Sequence, residues 1–173
     1  SFKLDPIFFD IWINIMKNNN NTFLWLLDYG FEMKQNINTF VDERIDSNRI
    51  IYAERLNYES HLKRIQHIDI ALDTRIYNGH TTSIEMIQAG IPVVTLKGTH
   101  FASRVSSSIL NSLGLNDFIT ESCQEYERKI ISLINQDKIN SAKNLVKKKI
   151  NNSEILNVKS FAESFEKALL KCF

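Results

Sequence analysis

The chain has 173 residues, and its 21 Lys and Arg nearly balance 20 Asp and Glu. That near-neutral charge argues against a nucleic-acid binder that works through a broad basic field. The two cysteines, Cys123 and Cys172, cannot build a disulfide framework and have no metal-ligand spacing, and no apolar run reaches the ~18 residues of a membrane span, so a reduced, cytoplasmic setting is the simplest expectation.

In chain order, Asp5-Pro6 places a capping carboxylate before a proline already set for the first helical position. The helix expected there carries Phe8, Phe9, Ile11, Trp12, Ile15 and Met16 and ends in the polar run 17–21. Residues 22–27 form a continuous apolar run, read as a strand buried on both faces. A helix over 36–45, a strand over 49–53, a helix over 58–67 and a strand over 68–73 follow. The next helix, 80–89, stops at Gly90 with Pro92 beyond it. A strand at 92–96, a helix at 101–113 ended by Gly114, and a short strand at 117–119 come next. Helices over 123–135, 138–150 and 158–171 complete the chain.

Alternating helices and short apolar strands imply an α/β fold with a mostly parallel sheet, and the last three helices put helix in excess of strand. No internal repeat or linker divides residues 1–173, so one domain is expected. The chain opens on Ser1 and runs into a helix with no leading strand, which is read as a fragment lacking its first strand. Ligands of parallel sheets bind beyond the carboxyl ends of the strands. The loops after Asp73 and Leu96 are therefore the places to look.

The first of these loops leads into His80, Thr81 and Thr82 at an expected helix start, just after Gly79. A helix N-terminus presents unpaired amides and a positive dipole end, which suits a phosphate. Glu85, just over one turn on, is placed to accept from ribose hydroxyls. The plain alternative is that Thr81 or Thr82 simply caps the helix. After the next strand, Lys97-Gly98-Thr99-His100 either lines the same cleft or is an ordinary turn. Arg104 follows, on a line with Ser107 and Ser108. His61 and Arg64 share one helix face and either meet a flat base or are solvated. Lys3 is placed to reach a pyrophosphate.

The segments Asp73-Thr-Arg-Ile-Tyr-Asn-Gly-His-Thr-Thr, Ala89-Gly-Ile-Pro-Val-Val-Thr and Phe101-Ala-Ser-Arg-Val-Ser-Ser-Ser-Ile-Leu resemble the protein O-GlcNAc transferase family. The opening Phe2-Lys3-Leu4-Asp5-Pro6, Leu24-Trp25-Leu26-Leu27, Asn48-Arg49-Ile50-Ile51 and Gln124-Glu125-Tyr126-Glu127 extend the resemblance along nearly the whole chain. It implies the Rossmann-like, doubly wound C-terminal domain of a GT-B glycosyltransferase. It also implies an N-terminal GT-B domain and tetratricopeptide repeats upstream. By this resemblance Lys3 contacts the diphosphate and stabilises leaving UDP. His80, Thr81 and Thr82 match the phosphate-binding helix start, Arg64 and His61 surround uracil and ribose, and Glu85 binds the ribose. The implied reaction is inverting transfer from a UDP-sugar, UDP-GlcNAc or a related hexose donor, to Ser or Thr of an acceptor protein, with no metal and no cofactor. Tyr58 stands where the animal enzymes have lysine, and Tyr77 where they have cysteine. Tyr77 is therefore expected to help set the donor sugar. Three other readings stay open at this point: an epimerase-like domain, a non-catalytic binding module, and a receiver-like domain with Asp73 as phosphoacceptor.

Overall fold

The computed structural model describes residues 3–172, leaving aside the side chain of Gln136. Phe2 of the opening block lies outside the described residues. Asp5 caps α1 (Pro6–Asn18), accepting from the Ile7 and Phe8 amides at 3.2 and 3.4 Å; such a cap contributes about 1 kcal/mol. α1 buries Phe8, Trp12, Ile13, Ile15 and Met16 and packs on α6 (Cys123–Leu133), where Phe8 stacks on Tyr126 with ring centroids 4.5 Å apart.

The strands are all parallel and form two hydrogen-bonded groups. β1 (Leu24–Leu27) pairs with β2 (Ile50–Ala53), and β4 (Val93–Leu96) lies between β3 (Ala71–Leu72) and β5 (Ile119–Thr120). Parallel neighbours require a crossover. α2 (Phe31–Val41) joins β1 to β2, α4 (Thr81–Gln88) joins β3 to β4, and α5 (Val105–Ser112) joins β4 to β5. α3 (Tyr58–Ile65) carries the chain from one group to the other. β4 is buried along its whole length, with α4, α5 and α6 packed on it. α7 (Gln136–Asn151) covers α4 and α6. α8 (Val158–Leu169) buries no residue, and Phe161 and Phe165 stack on its open face. Helix exceeds strand, as expected.

Several expectations are corrected. The run 22–27 is not a strand buried on both faces: of β1, only Leu24 is buried. The reason is a cleft of about 1010 Å³ that runs between the two groups of strands, lined by Leu24, Trp25 and Leu26 on one side and Ile70, Ala71 and Leu72 on the other. The helix expected over 36–45 begins earlier, at Phe31. Gly30 takes φ +101° and turns the chain straight out of β1, while its amide is held by Asp28 Oδ1 at 2.8 Å. The helix expected over 101–113 is broken at Arg104, because Ser103 spends its carbonyl on the Gly98 amide and so closes a short 3₁₀ turn, Phe101–Ser103. The strand expected over 68–73 shortens to two residues. Among the described residues no helix is long and apolar enough to cross a membrane.

Candidate functional site

Asp73 leaves the end of β3 and organises the loop that follows. It is 6% exposed. Its carboxylate accepts from the Gly79 amide at 2.7 Å and from the Thr95 hydroxyl at 2.6 Å. Burial pushes its pKa up, and the hydrogen bonds from Thr95 and Gly79 oppose that rise. The Asp73 carbonyl accepts from Tyr126 Oη at 3.1 Å, and Tyr126 Oη in turn accepts from Trp12 Nε1 at 3.2 Å. α1, α6 and the loop are thereby tied to one buried point. A phosphoacceptor needs an accessible carboxylate, so the receiver-like reading fails here.

The rest of the loop is pinned in the same way. Asn78 donates its amide to Ala102 O at 2.8 Å and its side-chain amide to Thr74 O at 2.8 Å. Its Oδ1 accepts from the Ser106 amide at 3.3 Å. Ser106 Oγ donates to Gly79 O at 3.0 Å, so in the 2.9 Å contact between the two hydroxyls Ser83 is the donor. A Cβ on Gly79 would collide with Ser83 Oγ and lie 2.8 Å from Thr82 Oγ1. Anything larger than glycine there must displace the Ser83 and Thr82 hydroxyls in the first turn of α4.

Among the described residues no side chain caps α4. His80 occupies the cap position with φ −109° and ψ −91°, and Thr81 and Thr82 begin the helix without capping it. The plain reading of the threonines as caps is set aside, and among the described residues no side chain accepts from the first-turn amides. Lys3 Nζ donates to Asn78 O at 3.1 Å and lies 4.4 Å from the centroid of the Tyr77 ring. Tyr77 stacks on His80 at 4.9 Å and 17°, and His80 meets Phe101 edge-on at 6.1 Å. Lys3, Gly79 and Thr82 line the same cleft. Burial pulls the Lys3 pKa below the ordinary lysine value, and the charge of Asp73 partly offsets this.

A second group joins α3 to the middle of α4. Arg64 Nη2 is 3.1 Å from His61 Nδ1, and Arg64 Nη1 donates to Glu54 O at 2.6 Å. Guanidinium only donates, so Nδ1 accepts and the His61 proton sits on Nε2. That nitrogen is 3.8 Å from Glu85 Oε2, and Glu85 is 9% exposed. The guanidinium also lies 5.4 Å from the Trp25 ring. His61, Arg64 and Glu85 therefore come together, and they are not simply a solvated face. Tyr58, at the first position of α3, is 63% exposed.

The model of glycosyl transferase family 41 matches residues 1–165. The chain belongs to that family. It is 36% identical over 126 residues to a UDP-N-acetylglucosamine–peptide N-acetylglucosaminyltransferase of Caenorhabditis elegans, covering 72% of this chain and 11% of that protein. It is 33% identical over 141 residues to the probable enzyme of the same name, SEC, of Arabidopsis thaliana, covering 80% of this chain and 14% of that protein. A mutant O-GlcNAc transferase of Thermobaculum terrenum superposes with a TM-score of 0.87 at 25% identity, over 96% of this chain and 33% of that one. The family 41 chain thus spans a minor part of each of these relatives. Its mixed α/β fold with parallel strands is that of the C-terminal domain of a GT-B glycosyltransferase, as the resemblance implied, and membership of the family sets the epimerase-like reading aside.

Sequence reasoning treated Asp73 only as a possible phosphoacceptor and passed over Asn78, Ser83, Thr95, Ser103 and Ser106, which are buried and build the loop frame. The available signal was an aspartate at a strand's end followed by Asn-Gly and, on the next helix, by small hydroxyls. The second junction divides. His100 Nε2 donates to Ile76 O at 3.0 Å and so braces the first loop, whereas Lys97 pairs with Glu121 at 3.1 Å on an exposed surface. Arg104 is exposed; Ser107 donates to its carbonyl at 2.8 Å.

Replacing Asp73 by alanine strips the Gly79 amide and the Thr95 hydroxyl of their buried acceptor. Each unsatisfied group costs about 1–3 kcal/mol. Thermal unfolding of Asp73→Ala is expected to show a loss within that range or above it, and Asp73→Asn, which keeps one acceptor, a smaller one. Equal stability of all three proteins would remove Asp73 from its organising place.

Proposed function

We propose that this chain is the donor-binding half of an inverting, metal-independent glycosyltransferase that moves a sugar, GlcNAc or a related hexose, from a UDP-sugar to Ser or Thr of an acceptor protein. The observation that carries the proposal is an uncapped helix N-terminus at His80-Thr81-Thr82 with the Lys3 ammonium held beside it, 3.1 Å from Asn78 O. The names of the nematode and plant relatives, both UDP-N-acetylglucosamine–peptide transferases, agree with it.

The chemistry follows from charge. In a single displacement the acceptor hydroxyl oxygen attacks the sugar carbon from the side opposite UDP, the bond to the diphosphate breaks, and the hydroxyl proton is taken up by a phosphate oxygen of the departing UDP or by water. Negative charge grows on the departing β-phosphate, and without a metal it has to be met by fixed donors. The α4 amides and Thr81 and Thr82 supply hydrogen bonds, and Lys3 supplies full positive charge. Arg64 and His61 take the uracil and ribose, and Glu85 accepts from the ribose hydroxyls. Gly79 keeps the backbone close, and Tyr77 walls the sugar. No further cofactor is needed.

The domain, read as residues 1–173, is completed from outside these residues. The supporting feature is the cleft between β1 and β3, whose facing strands have no hydrogen-bonded neighbour on that side among the described residues. An upstream GT-B domain closes the other wall of the donor site, tetratricopeptide repeats deliver the acceptor, and the setting is cytoplasmic, consistent with the free thiols of Cys123 and Cys172.

Calorimetric titration of UDP into the full-length protein tests the binding assignment. Binding is expected, and Arg64→Ala should weaken it about tenfold, the size of one charge-assisted hydrogen bond of 1.5 kcal/mol or so. UDP affinity untouched by Arg64→Ala would dislodge the nucleoside assignment.

A further inference from the structure

Lysine is a long, flexible side chain, and holding its ammonium in one place has a large entropic cost. Here Lys3 Nζ donates to Asn78 O at 3.1 Å and lies over the Tyr77 ring at 4.4 Å. The ring belongs to a frame that resists movement. It stacks on His80 at 4.9 Å and 17°, its own carbonyl accepts from Thr74 Oγ1 at 2.6 Å, and the next residue is anchored through its amide to Ala102 O at 2.8 Å. The frame runs inward to the buried Asp73 and Ser106.

We propose that Tyr77 is a positioning residue for Lys3, holding the ammonium against the ring face beside the α4 N-terminus, over and above any contact with the sugar. The inference rests on the donor-binding reading above. An aromatic face attracts a cation through its quadrupole. Unlike a carboxylate, the ring itself brings no negative charge to the ammonium. The lysine is thereby localised where its charge can meet a departing diphosphate. The ring face does this work, and the phenolic hydroxyl does not; phenylalanine preserves the face, whereas leucine fills similar space without it.

The test uses steady-state kinetics of the full-length protein with UDP-GlcNAc and a peptide acceptor. Tyr77→Leu is expected to lower kcat about tenfold with KM for the donor within about twofold, and Tyr77→Phe to recover most of that loss. The double variant Lys3→Ala with Tyr77→Leu should turn over no more slowly than Lys3→Ala alone, because a positioning residue has nothing left to position. Full kcat in Tyr77→Leu overturns the inference, as does an equal loss in Tyr77→Phe, or additive losses in the double variant. If Tyr77→Leu and Tyr77→Cys change only the ratio of rates with UDP-glucose and UDP-GlcNAc, Tyr77 is a sugar wall and the inference also fails. Lys3→Ala separates the two levels. If it keeps normal turnover, the donor-site reading of Lys3 falls and this inference falls with it; if it collapses turnover while Tyr77→Leu does not, only the positioning role is lost.

Discussion

Lys3→Ala in the full-length protein is expected to reduce turnover by roughly 3 kcal/mol in barrier terms, on the order of 100-fold, while UDP affinity changes far less. The asymmetry comes from timing. In the ground state the diphosphate charge is shared with the sugar bond intact, and several donors already meet it. As the bond breaks, new charge accumulates on the leaving group, and an interaction that strengthens only then raises kcat. Lys3 is placed for this by Asn78 O at 3.1 Å. Single-turnover rates together with UDP titration check the split, and an unaltered rate would sink the role. The pH dependence carries an independent signature. Burial lowers the Lys3 pKa, so the charged form is lost as pH rises through a value below the ordinary lysine figure of about 10.4. Turnover should fall on that alkaline limb, and the limb should be absent from the residual activity of Lys3→Ala.

The 173-residue chain alone is expected to bind UDP weakly and to transfer no sugar. A cleft ligand normally buries most of its surface against both walls; in the proposed reading these residues supply one wall, built on α4. Held on one side only, a donor sugar stays open to water and unpositioned against an acceptor hydroxyl, and the advantage of proximity, about 7–11 kcal/mol in well-oriented systems, is absent. The cleft beside β1 and β3 adds a stability deficit, since Leu24, Trp25 and Leu26 line it. Radiolabelled transfer at background, with calorimetric UDP binding weaker than in the full-length protein, is the expected pair of results. Robust transfer by the isolated chain would place the catalytic machinery in the other half.

Much of this protein was legible in its amino-acid order, because local rules acted without competition. Asp5-Pro6 starts α1, Gly90 and Pro92 end α4 and admit β4, and the apolar run 93–96 is buried at every position. Helix periodicity brought His61 and Arg64 to one face of α3, and family resemblance drew attention to Lys3, Tyr77, His80, Thr81, Thr82 and Glu85. The contacts among them were not legible. Lys3 and Asn78 stand 75 residues apart and His61 and Glu85 stand 24 apart, and each pair meets only because strands and crossovers bring distant segments together. The same holds for the frame beneath the site. Asp73, Thr95 and Tyr126 are unremarkable as letters, and burial turns them into one hydrogen-bonded unit. Even the failure of residues 22–27 to be buried on both faces was a tertiary matter: an apolar run specifies a strand, but whether its two faces and edges are covered depends on which neighbours the rest of the chain supplies.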